Sequence, residues 1–229
     1  MIQPLFLGLD LGTTAVKGVL VEADGSVLAR AAIERRPRYP RPGWIEMDAE
    51  ADWWQPAAAV IRLLTGQAAQ RSKDILCVGV CGLVPCLCLL DQDGRPLRPA
   101  ILYSDNRALE ELEWVNHAAG LSLTAEAVTP RLLWVKHHEP QVYQRARQAV
   151  SAHHFVVQRL TGRACIDYDT ASILGGIFRA GPKLYDPSVL STLGLPLDLW
   201  PELLPATAAV GGVTASAARE TGLTERISI

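Results

Sequence analysis

The 229-residue chain has no apolar run approaching the roughly 18 residues of a membrane-spanning helix. Its first residues, MIQPLFLGLDLG, also lack the basic segment and long apolar core of a secretory leader. A cytoplasmic location with no membrane partner is the expectation. Net positive charge is missing too: 22 Lys and Arg stand against 24 Asp and Glu, a formal balance of −2. No global field draws the chain to nucleic acid, so none is expected as a partner. A disulfide framework is absent, since the cysteines number five and four of them crowd into CVGVCGLVPCLCLL at Cys77 to Leu90. These thiols sit among Val, Leu and Gly rather than on turns, and strand alternation puts Cys86 and Cys88 on one face, so a zinc site is not expected. They read as small reduced hydrophobes, with Cys77 and Cys81 buried in a strand. Neither G-x-x-x-x-G-K-[ST] nor G-x-G-x-x-G opens the chain, which disfavours a P-loop NTPase and a dinucleotide-binding dehydrogenase.

What the chain does contain is 49% hydrophobic residues in a length that builds one large domain without staples. Three strand-like runs, Leu5 to Leu9, Ala15 to Glu22 and Ser26 to Glu34, are joined by an Asp24-Gly25 hairpin signal. After a Pro/Arg-rich connector, Ala51 to Gly66 carries the apolar spacing of an amphipathic helix. Ile75 to Cys81 and Leu87 to Leu90 are apolar throughout and read as central strands of a sheet covered on both faces. Arg107 to Ala119, Arg131 to His137 and Tyr143 to Leu160 read as helices. The segment from Asp186 to Pro205 is too proline-rich for one long helix. Ala215 to Gly222 reads as a capped helix, and Arg226 to Ile229 as the start of a strand. The expected class is α/β, a mixed sheet flanked by helices.

Chemistry concentrates in LGLDLGTTAVKGVL, Leu7 to Leu20. A carboxylate at a strand end, then Gly-Thr-Thr and a second strand, offers backbone N–H groups and two hydroxyls in one concavity, which suits phosphate oxygens. An adjacent Asp suits Mg2+, usually through water. The same residues also make a good plain hairpin turn, and Lys17 reads equally well as a solvated strand residue. His153 and His154 are neighbours at a helix start; adjacent side chains do not share a helix face, and both read as structural.

The order of strand, D-x-G-T-T, strand and hairpin resembles the opening of actin-like ATPase (ribonuclease H-like) domains. Three further stretches sharpen the resemblance: Pro42-Gly43-Trp44-Ile45-Glu46 with Asp48 and Asp52-Trp53-Trp54; LDQDGRPLRPAILYSDNR from Leu90 to Arg107; and Leu132-Leu133-Trp134-Val135 with His138-Glu139-Pro140. Together they resemble the N-terminal, sugar-binding domain of the FGGY family of carbohydrate kinases, in its xylulokinase-like branch, over residues 1–229. That resemblance implies ATP and Mg2+ as cofactors and a sugar or polyol, pentulose-like, as acceptor. It implies that Asp10 holds Mg2+ through water, that Gly12, Thr13 and Thr14 face the β and γ phosphates, and that Lys17 stands on the phosphate side. It implies further that Val84, Pro85, Tyr103, Asp105 and Arg107 line the sugar, although Asp105 also fits an Asx turn before the following helix. No catalytic base is expected within the chain: the family's aspartate follows the strand that starts at Arg226, and the nucleotide-binding C-terminal domain is not in the sequence. A partner second domain, with a homodimer left open, is the expectation. The alternative is a truncated, non-catalytic module that binds a sugar or a partner. Where xylulokinases carry Gly-Gln-Met-His-Gly, this chain has Gly82-Leu83-Val84-Pro85-Cys86, so D-xylulose is a doubtful substrate.

Overall fold

The computed structural model describes residues 4–69, 71–225 and 227–229. Leucines at 5, 7, 9 and 11 alternate with Phe6, Gly8 and Asp10, and β1 (Leu5–Leu11) turns all four leucines inward. β2 (Ala15–Glu22) and β3 (Val27–Glu34) complete an antiparallel meander. At the β2–β3 turn Gly25 takes φ 87°, and the Ser26 N–H donates to Asp24 Oδ1 at 2.8 Å. The chain then passes through β4 (Glu46–Met47) and a π-type turn (Ala49–Trp54) into α1 (Gln55–Gln67). Val60 and Leu64 of α1 press on β2 at Gly18, where a Cβ would stand 2.5 Å from Val60 Cγ1. β5 (Ile75–Gly82) joins β1 in parallel, giving a mixed sheet of order β3-β2-β1-β5.

One face of this sheet is covered and the other is open. β5 was expected to be apolar because both faces were buried; instead Leu76, Gly79 and Cys81 are exposed. The two thiols on β5 are corrected accordingly: Cys77 is half-buried and Cys81 exposed, whereas Cys86 and Cys88 are buried.

Beyond the sheet, the structure adds β6 (Cys88–Leu90), β7 (Ala100–Ile101), α2 (Leu109–Ala119), α3 (Val128–His138), α4 (Pro140–Arg145), β8 (Gln148–Val150) and α5 (Ala152–Thr161). The helix expected over Tyr143 to Leu160 is in fact α4, β8 and α5. Gln148–Val150 pairs antiparallel with Cys88–Leu90, and tertiary strand pairing overrides the local helical pattern. A second hydrophobic cluster, including Leu87, Leu89, Ile101, Leu132, Leu133 and Trp200, lies under α2 and α3. The proline-rich part consists of short pieces: β9 (Cys165–Asp167), α6 (Tyr168–Ser172), a hairpin of β10 (Phe178–Arg179) and β11 (Leu184–Tyr185), α7 (Pro187–Thr192), β12 (Glu202–Leu204) and α8 (Ala215–Thr221). Of the expected final strand, Arg226 lies outside the described residues. Ser228 bridges Cys77 of β5 in parallel, and on its other side bridges Gly212 antiparallel. No helix among the described residues is long and apolar enough to cross a membrane.

Candidate active site

The β1–β2 turn is built from both sides. Asp10 closes the open face of β1, paired in register with Lys17 on β2 and Cys81 on β5, so Asp10 and Lys17 stand on one sheet face. Both line a shallow pocket over that face together with Gly8, Arg30 and Gly79. Gly12 keeps the turn open: a Cβ there would stand 3.2 Å from the Ala15 carbonyl and 3.8 Å from Asp10 Oδ2. Thr13 is half-buried, while Thr14 and Lys17 are exposed. The donor set of one carboxylate, an unblocked glycine and two hydroxyls fits a metal-bridged phosphate group.

Arg35, which lies between the third strand and the Pro/Arg-rich connector and was not singled out in the sequence, supports this turn from beneath. Its Nε donates to the Gly12 carbonyl at 3.0 Å, its Nη2 donates to the same oxygen, and its Nη1 donates to the Asp52 carbonyl. Burial pulls the guanidinium down to about 10, and the carboxylates of Asp52 and Asp10 oppose that fall. The group stays protonated at neutral pH and presents positive charge to the turn.

The stretch after β5 passes close behind. Leu83 N–H donates to the Leu11 carbonyl at 3.1 Å, and a Cβ on Gly82 would stand 2.6 Å from Leu11 Cβ. Pro85 and Cys86 are buried, and Val84 is half-buried. Burial raises the Cys86 thiol to about 11, an inert state. Val84 faces a cavity of about 290 Å³ that also touches His153, His154, Asp167 and the 204–210 segment. Tyr103 is half-buried, and its carbonyl accepts from Arg131 Nη2. Arg131 also holds the carbonyls of Ala125 and Glu126, tying that loop to Tyr103. A fully buried arginine in the apolar run VTPRLLWV was the signal that would have found it.

Asp105 and Arg107 do not line an open cleft. Both side chains have zero exposure, and Arg107 Nη2 lies 2.7 Å from Asp105 Oδ2. Asp105 Oδ1 accepts from Arg107 N–H at 2.9 Å, the Asx turn of the alternative reading, and Oδ2 accepts from Ile45 N–H. Arg107 is stacked with its guanidinium carbon 3.9 Å from the Trp44 ring centre and 5.0 Å from that of Trp134. Glu46 Oε1 completes the ion cluster, 2.8 Å from Arg107 Nη1 and 2.6 Å from Arg98 Nη2. Engaged with each other and with the tryptophans, these groups fix the loops that carry Trp44 and Tyr103.

His153 and His154 do converge, contrary to the expectation from helix geometry, because the first turn of α5 lets both reach Asp167. Their Nε2 atoms lie 3.2 and 2.9 Å from Asp167 Oδ2, and their ring centres are 3.8 Å apart. Burial lowers His154 to about 4, so it is neutral at physiological pH. Burial pushes the Asp167 carboxyl up, but hydrogen bonds from His153, His154 and Thr170 outweigh it and hold the group well below the usual carboxylate range. These three side chains are, among the described residues, a group with donor atoms within 4.8 Å of one another, the spacing of a cation site. Their mutual hydrogen bonds already occupy the ligand atoms.

The model of the "FGGY family of carbohydrate kinases, N-terminal domain" matches residues 5–229. The chain is 31% identical over 236 residues to the xylulose kinase of Bacillus subtilis, covering 97% of this chain and 46% of that protein. It is 30% identical over 175 residues to the xylulose kinase of Escherichia coli, covering 73% and 36%. The crystal structure of xylulose kinase from Rhodospirillum rubrum superposes with a TM-score of 0.89 at 30% identity, covering 98% of this chain and 47% of that one. The chain thus spans about half the length, or less, of these relatives. With an actin-like ATPase fold and a match to the family's N-terminal-domain model over nearly all its residues, the chain belongs to the FGGY family of carbohydrate kinases.

Proposed function

We propose that the chain is the sugar-binding half of an ATP-dependent kinase that transfers the γ-phosphoryl group to a hydroxyl of a pentulose-like sugar or polyol. The observation that carries this reading is the open Asp10–Gly12–Thr13–Thr14 turn, held from below by Arg35, in a member of this family. Asp10 would hold Mg2+ through water and Gly12, Thr13 and Thr14 would face the phosphates, where the bound ion supplies charge neutralisation to the transferred group. Lys17, exposed on the same sheet face, adds positive charge beside them. Arg35 fixes the direction of the Gly12 carbonyl, so the neighbouring N–H groups are oriented before any ligand arrives.

Acceptor binding falls to Val84 and Tyr103, with Pro85 packed behind Val84. Relatives named xylulose kinase support a pentulose. The apolar Val84-Pro85 wall supports an acceptor other than D-xylulose, because a site that pairs a sugar hydroxyl discriminates through that pairing. Asp105 and Arg107 act through the loops they fix, without touching the sugar. In this reading the proton-accepting aspartate follows the strand that starts at Arg226, the adenosine pocket belongs to a second domain, and the chain alone is inactive.

The test is phosphorylation of a panel of ketoses and polyols by ATP with Mg2+, using the chain alone and the chain joined to a C-terminal kinase domain. Turnover of a pentulose or polyol by the joined form only is the expected result. Turnover by the chain alone would overturn the division of labour, and sugar binding without turnover by the joined form would favour a non-catalytic module.

A further inference from the structure

Asp167 has more contacts than its atoms can serve. Oδ2 lies 2.9 Å from His154 Nε2, 3.2 Å from His153 Nε2 and 2.7 Å from Thr170 Oγ1, while Oδ1 accepts from the Thr170 N–H at 2.8 Å. A carboxylate oxygen has two lone-pair sites, so three donors on Oδ2 exceed them by one. His154 Nε2 is over-committed as well: the Asp167 N–H donates to it at 3.2 Å, and a nitrogen that accepts there has no proton to give to Oδ2. With Nε2 protonated in both rings, that backbone N–H faces another donor, and both Nδ1 lone pairs are buried without a partner. With Nδ1 protonated instead, two ring lone pairs face a carboxylate. The mutual contacts of the trio thus occupy its ligand atoms without satisfying them, whichever nitrogens carry the protons.

A cation between the three atoms removes the conflict at Asp167, since Oδ2 then serves the ion and the Thr170 hydroxyl, two partners for two sites. The spacing fits. Ligands about 2.0–2.1 Å from an ion stand roughly 3.3 Å apart at the corners of a tetrahedron and roughly 3.0 Å apart at adjacent corners of an octahedron, close to the separations of 2.9 and 3.2 Å found here. All three donor atoms lie within 4.8 Å of one another. They are supplied by the first turn of α5 and the end of β9, and Thr170 holds the carboxylate through its N–H and its hydroxyl, the outer support a ligating carboxylate needs. His153, His154 and Asp167 all line the cavity of about 290 Å³ beside β5, which gives an ion a way in and leaves room for water on its outer side. Two imidazoles and one carboxylate suit zinc and its first-row neighbours, whereas Mg2+ takes oxygen ligands, so the trio and the Asp10 turn select different ions.

We propose that Nε2 of His153, Nε2 of His154 and Oδ2 of Asp167 bind one divalent transition ion of the zinc type, with its remaining positions open to the cavity. Bound there, the ion ties the start of α5 to the end of β9, and it does so without ATP, a sugar or a second domain. Kinase activity, present or absent, leaves the proposal where it stands.

The experiment strips the chain of metal with a chelator and titrates it with Zn2+ by calorimetry, while nitrogen-15 NMR of the five histidines follows each ring. Expected are one equivalent bound with Kd below about 1 μM, a higher melting temperature, and displacement of the Nε2 resonances of His153 and His154 together. Mg2+ at millimolar concentration produces none of these. Asp167→Asn, which keeps the oxygen that caps α6, and His154→Gln each weaken Zn2+ binding by at least about 100-fold. A His137→Asn and His138→Asn double variant, which removes the exposed rings beside Glu111, keeps the equivalent. Absence of Zn2+ binding overturns the proposal, as does binding that moves only His117, His137 or His138, or an affinity unchanged in both Asp167→Asn and His154→Gln. If neither variant folds, the parent chain decides alone: joint displacement of the His153 and His154 Nε2 resonances supports the site, and either ring staying in place sinks it.

Discussion

Arg107 carries a charge that no water reaches, balanced by Asp105 and Glu46 and pressed between two indole rings. Removing one partner of such a cluster leaves the others buried and uncompensated, at a cost of about 3–5 kcal/mol. Arg107→Met should lose stability in that range in urea unfolding, and Arg107→Lys should lose less, because it keeps the charge without the fork. Sugar affinity of the folded fraction should stay unchanged in Arg107→Lys; a large drop without a stability change would return Arg107 to the sugar site. His154 gives a second test at this scale. Its pKa falls from an ordinary 6.5 to about 4 on folding, so between those values the unfolded chain binds the additional proton. Stability contributed by neutral His154 is complete above pH 6.5 and is lost as pH falls toward 4, by roughly 3 kcal/mol in total. Urea midpoints between pH 7.5 and 4.5 should therefore fall less steeply for His154→Gln than for the parent chain.

Elements fix what single residues only suggest. Gly18 sits under α1 with no room for a methyl group, so Gly18→Ala should destabilise the chain by about 1–3 kcal/mol through overpacking, while Gly66→Ala on the same helix meets open space and should not. A thermal melt of the two variants separates close approach from loss of backbone freedom. This contrast also shows where sequence is a sufficient guide. β1, β2, β3 and α1 were legible because alternation, the Asp-Gly turn and helical spacing all act locally. The stretch from Tyr143 to Leu160 was not: its helical character is real in α4 and α5, but Gln148–Val150 is recruited by β6, a partner about 60 residues away in the chain. The same applies to β5, whose apolar residues suggested two buried faces, while only position in the sheet decides which face has a cover.

At the scale of the whole molecule, the phosphate turn was readable from Asp10 to Thr14, but its support was not, because Arg35 and Arg131 act through carbonyls of distant loops that no spacing rule connects. The buried ion pair of Asp105 and Arg107 was not legible either, since a motif records which residues occur together and not how their side chains pack. The remaining prediction concerns the turn itself. Asp10 is half-buried at the mouth of the site and its partner across the ladder, Lys17, is exposed, so their pairing contributes at most about 1 kcal/mol to folding. Asp10→Asn should therefore leave the melting temperature nearly unmoved. In the chain joined to a C-terminal kinase domain, the same variant should lower kcat by about 10²–10³-fold, the size of effect seen when one preorganised electrostatic group is removed from a reacting centre. A paired drop in kcat and stability would assign Asp10 to the fold, and an unchanged kcat would remove it from the phosphate site. Only loss of rate with the fold intact agrees with a carboxylate that is held on the open face of the sheet for a ligand.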